Sequence, residues 1–435
     1  MIIQRRKFNF LAPLLFLFFI QLIAGRSLQA EDEREWLVMV YAVTDSYLVD
    51  CVTADINEME TVGSDAKMEI LLQLDKNDRI PLRYRIKRDS FPGQVTSPVI
   101  ETLPDLDCGN WQTLFEFFKW SVKQAPAKRI MLVLHGCLGN LGFGAPVFKQ
   151  KGDKKNNRYF YSSQKANLKR KLNQLKLKRE YLKLHENGAR YMGIRQMGFA
   201  LQAMREDLGR PIDIVVLDDS ADCSIEKFYE FTEFASHWVA SVGFIPADDM
   251  PYHSILEIIR TDPYINTSIF SQKIVKAYKN YYTDYCNLPF GFGATLTAVD
   301  LQDLAELFQA LDELSKLLRR ICKSHINRVK ILELRSVVLT YLSADNLDLF
   351  QFMQGLKKLN LPAVNLKPLC EKIMALIKDK PLAHWGDGRY YKHASGMSIT
   401  VSNWMGQYDK KKYALLKWSG FSRWNKFLYL LAKEF

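Results

Sequence analysis

Two short apolar runs of the chain end in residues with the chemistry of a catalytic pair. Residues 130–134 lead into His135 and Gly136, and residues 214–217 lead through two aspartates to Ser220. A histidine can take the proton of a nucleophile, and a glycine allows the backbone to approach a ligand closely. The pattern therefore predicts a dyad of His135 and Ser220 beside Gly136. The alternative is two core strands that end in polar residues by chance.

The elements that must position this pair are predicted from the same runs. Both runs are continuous rather than alternating, which is typical of strands buried on both faces of a parallel sheet. In open parallel sheets, ligands and chemistry gather at the carboxyl ends of the strands. Farther along, apolar residues recur at helical spacing in residues 301–322, and residues 397–401 and 413–416 are predicted as strands. The chain is therefore predicted to be an α/β protein with a C-terminal region of helices and strands.

Several segments occur in an order that is typical of one peptidase family. They include Trp-Leu-Val-Met-Val-Tyr at residues 36–41, His-Gly at residues 135–136 and Pro-Ala-Asp-Asp-Met-Pro-Tyr at residues 246–252. In these segments the chain resembles the clostripain family of cysteine endopeptidases. Further similar segments are residues 54–60, 71–75, 240–241, 295–301 and 421–428. The resemblance implies a caspase-like, mostly parallel sheet flanked by helices, with His135 as the catalytic histidine and cleavage after basic residues.

The nucleophile is where the chain departs from the family pattern. That pattern reads Asp-Ala-Cys-Leu-Met, with a glutamate six residues after the cysteine. Aligned on Asp218, the chain has Ser220 at the cysteine position, and Glu226 follows six residues later. The competing alignment makes Cys223 the nucleophile, but it needs a slip of three residues and loses the glutamate match. We therefore place Ser220 at the nucleophile position and keep Cys223 as the alternative.

A serine is not chemically equivalent to the cysteine of this family. A neighbouring imidazolium can lower the pKa of a thiol enough to supply thiolate at neutral pH. A hydroxyl instead needs a base that removes its proton during attack and a third group that orients the base. We therefore expect a catalytically impaired homologue, a pseudoenzyme that retains the binding cleft. The alternative is an active endopeptidase that cuts after Arg or Lys with His135 and either Ser220 or Cys223.

The resemblance also implies the residues that bind substrate. In the family, two aspartates hold the basic side chain of the peptide, and the matching positions here are Asp218 and Asp248. Carboxylates accept the planar donor set of a guanidinium in charge-assisted hydrogen bonds. The expected partner is therefore a peptide or protein with Lys or Arg side chains. One wall of the pocket differs, because the paired glutamates of the family are replaced by Val242 and Gly243. The alternative for each aspartate is a turn or helix-capping residue.

No cofactor is predicted from the spacing of metal-binding residue types. The chain has seven cysteines and seven histidines, but it has no Cys-x-x-Cys pair and no ligand-like spacing of histidines. A zinc site is therefore not expected. Calcium is implied by family resemblance only, because no Asp-rich calcium loop is present.

The amino terminus predicts export. A basic segment at residues 5–7 precedes an apolar stretch at residues 8–25, and a small residue follows at position 30. This is the pattern of a secretory signal peptide at residues 1–30, with an uncleaved anchor as the alternative. We expect a secreted, periplasmic or cell-envelope protein. The predicted domains are a peptidase-type domain at residues 31–263 and a C-terminal α+β region at residues 264–435.

The net charge of +12 is concentrated in one insert rather than spread over the fold. Residues 149–183 contain thirteen Lys and Arg residues and two acidic ones. Within the predicted insert at residues 149–187, leucines recur at helical spacing among the lysines of residues 164–183. This pattern predicts a basic amphipathic helix. The favoured interpretation is a solvated helix docked by its leucine stripe. The alternatives are a processing site, or a segment that binds an anionic surface and makes the chain an envelope interaction protein. Nucleic acid is not expected, because the insert has few aromatics suited to stacking.

Overall fold

The computed structural model describes most of the chain beyond the predicted signal peptide. The described residues are 33–44, 49–76, 80–89, 91, 93–104, 106, 110–136, 192–219, 223–246, 249–287, 293–341, 345–402 and 410–432. Ser220, Asp248, the basic insert and residues 1–30 lie outside these ranges.

In the described residues, nine strands form the main sheet of the fold. They are β1 (Arg34–Thr44), β2 (Met68–Lys76), β3 (Leu82–Arg85), β4 (Val99–Thr102), β5 (Ala127–His135), β6 (Ile212–Asp218), β7 (Ala235–Ala240), β8 (Ala294–Asp300) and β11 (Pro381–Asp387). Their order in the sheet is β11-β8-β7-β6-β5-β1-β2-β3-β4. The central strands β2, β1, β5, β6 and β7 are parallel, and antiparallel strands extend the sheet at both edges. The predicted mostly parallel sheet is confirmed.

The two apolar runs form β5 and β6, and both are buried on both faces as their composition predicts. Successive side chains point to opposite faces of a strand. Leu134 and Leu217 therefore join one hydrophobic cluster, and Val133 and Val216 join the cluster on the other face. The first face is called the C-terminal face here, because it also packs the C-terminal helices. The second is called the α1 face.

Helices cover both faces of the sheet. The α1 face is covered by α1 (Val49–Val62), α5 (Tyr252–Thr261) and α6 (Thr267–Cys286). The C-terminal face is covered by α2 (Trp111–Gln124), α3 (Ile194–Leu208), α4 (Ile225–Phe231), α7 (Ala305–Ile321), α8 (His325–Val337), α9 (Leu349–Lys358), α10 (Leu366–Asp379), α11 (Gly388–Tyr391), α12 (Lys410–Ala414), α13 (Lys417–Phe421) and α14 (Trp424–Leu431). None of the helices in the described ranges combines the length and the apolar content that crossing a bilayer requires.

The C-terminal region contributes to the main sheet and also forms a small sheet of its own. The small sheet has the order β12-β10-β9, with β9 at Thr340–Tyr341, β10 at Asn346–Asp348 and β12 at Ser398–Thr400. Strands β8 and β11, which follow the predicted domain boundary at residue 263, pair within the nine-stranded sheet. The domain division itself stays a prediction.

One predicted strand of the C-terminal region is wrong. Residues 413–416 do not form a strand, because α12 extends to Ala414 and Leu416 precedes α13. Tyr413 and Leu416 are buried, whereas Ala414 between them is exposed. This spacing of three residues fits a helical path, and a run of four apolar residues is too short to distinguish the two structures. The predicted strand at residues 397–401 is observed as β12.

Candidate active site

His135 and Asp218 lie side by side at the carboxyl edge of the sheet. His135 is the last residue of β5 and Asp218 is the last residue of β6, and the parallel register pairs them directly. His135 lies two residues after Val133, and Asp218 lies two residues after Val216. Because alternate residues of a strand share a face, both side chains point to the α1 face. The two apolar runs thus end at one place, as parallel strands require.

The side chains of this pair are in contact and buried. The Nδ1 atom of His135 lies 3.0 Å from Oδ2 of Asp218. The hydroxyl of Tyr252, the first residue of α5, donates to the same carboxylate oxygen at 2.7 Å. The side chain of Asp218 has no exposed surface. Two partners therefore fix the orientation of the carboxylate, and the carboxylate in turn orients the imidazole.

Gly136 continues the chain in a conformation that favours glycine. Its φ is +59°, and a Cβ atom at this position would lie 2.5 Å from the carbonyl oxygen of Val43. Its N–H donates to the carbonyl of Asp218 at 3.3 Å. Gly136 was predicted to let the backbone approach a ligand closely, and the close approach that the structure shows is to Val43 near the end of β1. Donation from the Gly136 N–H to an oxyanion in the reaction stays a prediction.

Two further carboxylates, which the sequence analysis did not select, meet His135. Asp55 on α1 and Asp249 before α5 each bring an oxygen to within 4.8 Å of a ring nitrogen and of each other. The Oδ2 atom of Asp55 lies 3.9 Å from Nδ1 of His135. Asp55 was detectable in principle, because Val52, Ile56 and Met59 define the buried stripe of α1 and Asp55 is a carboxyl group within that stripe. Asp249 gave no such signal.

The electrostatics of the site are dominated by these carboxylates. Burial lowers the pKa of His135, but the hydrogen bond and charge of Asp218, together with the charges of Asp55 and Asp249, outweigh it and raise the pKa to about 10. Burial also raises the pKa of Asp55, to about 9. Without a bound cation, the imidazole therefore carries its proton at neutral pH.

Cys223, the alternative nucleophile, belongs to the opposite side of the sheet. It is 1% exposed and packs in the cluster of the C-terminal face. Its thiol donates to the carbonyl of Ala240 at 3.1 Å. Its own carbonyl accepts from the backbone N–H of Ser398 at 2.8 Å and from the Ser398 hydroxyl at 3.2 Å. These contacts fix Cys223 between β7 and β12, whereas His135 faces α1.

Glu226, which supports the alignment of Ser220, is a buried anchor of the same segment. One carboxylate oxygen accepts from the backbone N–H of Thr400 at 2.9 Å and from the hydroxyl of Tyr413 at 2.9 Å. The start of α4 is thereby joined to β12 and α12. Among the described residues, Asp218 and Glu226 are thus both buried and bonded to other elements.

The wall that differs from the family pattern is apolar and close-packed. Val242 is 1% exposed. A Cβ atom on Gly243 would lie 2.4 Å from the ring of Tyr391, and the N–H of Phe244 donates to the Tyr391 hydroxyl at 2.9 Å. The hydroxyl of Tyr282 donates to the carbonyl of Asp249 at 2.6 Å. Tyrosines from α6 and α11 thus hold the loop that supplies Asp249.

The family model described as the clostripain family matches residues 185–429, which is more than half of the 435-residue chain. The match begins after His135, so Asp55 and His135 lie outside the residues that the family model covers. The search of the curated proteins found no match to this chain.

Solved structures share the fold at low sequence identity. An inactive zymogen C11 protease from Parabacteroides distasonis is 15% identical with a TM-score of 0.60, over 89% of this chain and 98% of that one. A secreted C11 cysteine protease from Bacteroides thetaiotaomicron, bound to an irreversible peptide inhibitor, is 15% identical with a TM-score of 0.61, over 90% of this chain and 99% of that one. Both similarities extend over nearly the whole of the described fold.

Proposed function

This chain belongs to the clostripain family, and we propose that it is an exported, catalytically impaired member that binds peptides through their basic side chains. The proposal takes the peptidase-type fold as its premise. It adds that the nucleophile position holds a hydroxyl instead of a thiol and that the cleft still attracts cations. Export is supported by the signal-like pattern of residues 1–30.

The observation that carries the proposal is the placement of Cys223. Its thiol is buried on the C-terminal face and donates to Ala240, while His135 faces the α1 face. Asp218 contacts His135 directly and is the last residue of β6, so β6 ends beside His135. These contacts favour the alignment in which Ser220, two residues later, stands at the nucleophile position.

The chemistry of a hydroxyl explains why activity would be lost. A family thiol is active as a thiolate, which a nearby imidazolium stabilises. A serine hydroxyl has no such ionised form at neutral pH and reacts only as its proton is removed by a well-placed base. Replacement of the thiol by a hydroxyl therefore removes the nucleophile without removing the fold or the cleft.

Peptide binding is supported by the negative charge at this edge of the sheet. Asp218 places one oxygen against His135 and Tyr252, and its Oδ1 has no hydrogen-bond partner among the described residues. A buried carboxylate oxygen without a hydrogen-bond partner is stabilised when a charged donor forms a hydrogen bond to it. Asp248, one residue before Asp249 of the site, is the second carboxylate proposed to hold the basic side chain.

Hydrolysis of short peptide reporters that end in Arg or Lys tests the loss of activity. We expect no turnover by the wild-type mature protein and measurable turnover by Ser220→Cys, because the remaining groups of a cysteine peptidase are present. Wild-type turnover that Ser220→Ala abolishes would contradict the proposal. Turnover abolished only by Cys223→Ala would show that the alignment is wrong.

Binding of an uncleaved Arg peptide by the wild-type protein tests the cleft separately. We expect Asp248→Asn to weaken the binding by about tenfold or more, as loss of a charge-assisted hydrogen bond does. Asp207→Asn is the matched control, because Asp207 is exposed on α3. Equal binding by the Asp248 variant and the wild type would remove the basic-side-chain part of the proposal.

A second candidate is an active endopeptidase that uses His135 and Ser220. The specific observation in its favour is the 3.0 Å contact between His135 and Asp218. A serine nucleophile needs a histidine that is oriented by a carboxylate, and this pair supplies that arrangement. The imidazole must first lose the proton that it carries at neutral pH before it can act as the base. The reporter experiment separates the two candidates, since this one requires wild-type turnover that Ser220→Ala removes.

A further inference from the structure

The site contains more ligand-type oxygens than the peptide-binding proposal uses. Asp55 and Asp249 converge with His135 from three separate elements, namely α1, the segment before α5 and the end of β5. Their ligand atoms all lie within 4.8 Å of one another. One imidazole nitrogen and two carboxylates form a donor set that binds zinc and related divalent transition cations.

A second observation shows that this cluster is more than a group of acidic residues. Asp55 is 5% exposed, and its Oδ2 is buried without a hydrogen-bond partner among the described residues. The same atom faces His135 at 3.9 Å from Nδ1. An ionised carboxylate is strongly disfavoured in a buried site unless it is paired or coordinates a cation, and otherwise it takes up a proton.

We propose that Asp55, His135 and Asp249 form a binding site for one divalent transition cation of the Zn²⁺ type. Zinc–ligand distances of about 2.0–2.2 Å place tetrahedral ligand atoms about 3.4 Å apart, so ligand atoms within 4.8 Å of one another need to approach by at most about 1.4 Å. The fourth position is left for water or another ligand. This inference does not depend on the proposed peptide binding.

Asp218 has the contact that supports a ligating histidine. Histidines that bind metals usually place the other ring nitrogen against a carboxylate, which fixes the plane of the ring. Nδ1 of His135 contacts Asp218, and Tyr252 bonds to the same oxygen, so this support requires the cation to bind Nε2. Asp218 is therefore a positioning residue for the proposed cation site.

The backbone at Asp249 allows a clean test variant. Its φ is +52°, and Asp249 is the only non-glycine residue with a positive φ in the described part of the chain. Glycine adopts this conformation without steric cost. Replacement by glycine is therefore compatible with the fold and removes only the carboxylate.

This site could not be predicted from a motif, because its ligands have no recognisable linear spacing. Asp55 and Asp249 lie on either side of His135 in the chain, far from it in each direction. Only the sheet and its α1-face helices bring them together. A zinc site was not expected on spacing alone, and the proposal differs from that expectation.

Isothermal titration of the tag-free mature protein with Zn²⁺, after treatment with chelator, tests the inference without any substrate. We expect the wild-type protein to bind one Zn²⁺ per chain. We expect the affinity for Zn²⁺ to fall about tenfold or more in Asp249→Gly and in Asp55→Asn, because even the loss of groups that only orient metal ligands has an effect of this size. Asp207→Asn should bind Zn²⁺ as the wild type does. Calcium should bind much more weakly than Zn²⁺, because it prefers six to eight oxygen ligands.

Three results would each overturn the inference. The wild-type protein could fail to bind one Zn²⁺ per chain, the folded Asp249→Gly protein could bind Zn²⁺ with unchanged affinity, or Ca²⁺ could bind as tightly as Zn²⁺. Circular dichroism establishes that each variant is folded. Because peptide is absent, failure here leaves the peptide-binding proposal standing, and failure of peptide binding leaves this site standing.

Discussion

The two ends of the parallel sheet treat buried charge in opposite ways. At the amino end, Glu35 on β1 is paired with two cations, Lys128 at 2.6 Å and Arg129 at 3.2 Å. Glu69 on β2 is likewise paired with Arg34 at 3.1 Å and Arg85 at 2.7 Å. Each buried carboxylate at that end therefore has two positive partners.

At the carboxyl end the ratio of positive groups to carboxyl groups is reversed. Three aspartates at positions 55, 218 and 249 surround the single imidazole of His135. The same strands thus carry an end where cations outnumber the buried carboxylates and an end where carboxyl groups outnumber the one imidazole. Groups with strongly shifted pKa values are concentrated at functional sites, whereas structural ion pairs need only stabilise the fold. The difference supports both proposals, in which the carboxyl end meets a cation, either a basic side chain or a metal ion.

Removal of a cation should have very different consequences at the two ends. We expect His135→Gln to lower the free energy of unfolding by about 3 kcal/mol, because the buried carboxylate of Asp218 loses the positive partner that it contacts among the described residues. Arg85→Gln should lower it by about 1 kcal/mol or less, because Arg85 is 35% exposed and Arg34 still pairs with Glu69. Urea unfolding at neutral pH in the presence of chelator measures both. Equal losses would remove the distinction between the two ends.

Backbone restraint at the carboxyl end can be tested with a matched pair of glycines. We expect Gly136→Ala to destabilise the protein by about 3 kcal/mol, because a positive φ and a contact with the backbone of Val43 both oppose a Cβ atom. Gly209→Ala has a similar positive φ of +72° but nothing within 4 Å, so about 1 kcal/mol is expected. Thermal or urea unfolding provides the comparison. Similar values for both variants would mean that the strand end relaxes around the new atom.

The part of this account that the sequence could predict is the part that is local in the chain. Residues 130–134 and 214–217 predict buried parallel strands from composition alone, and parallel strands bring their carboxyl ends to one edge. The meeting of His135 and Asp218 follows from that geometry. The helices of the C-terminal region were likewise predictable, because leucines recur at helical spacing in α7.

The remaining features depend on packing between segments that are distant in the chain. Asp55 and Asp249 reach His135 only after α1 and α5 pack on the same face of the sheet. The helical state of Tyr413 depends on its packing and on its bond to Glu226, which no short window of sequence contains. Tertiary contacts therefore decided both the missed carboxylates and the wrong strand.

Covalent labelling by an Arg-ended peptide that carries a thiol-reactive group shows whether the cleft offers a reactive thiol. We expect the wild-type mature protein to remain unlabelled at neutral pH, because Ser220 offers no thiol and Cys223 is buried against Ala240. We expect Ser220→Cys to become labelled at residue 220, as peptide mass spectrometry would show. Labelling of the wild-type protein at Cys223 or at Ser220 would mean that the proposed loss of the nucleophile is wrong.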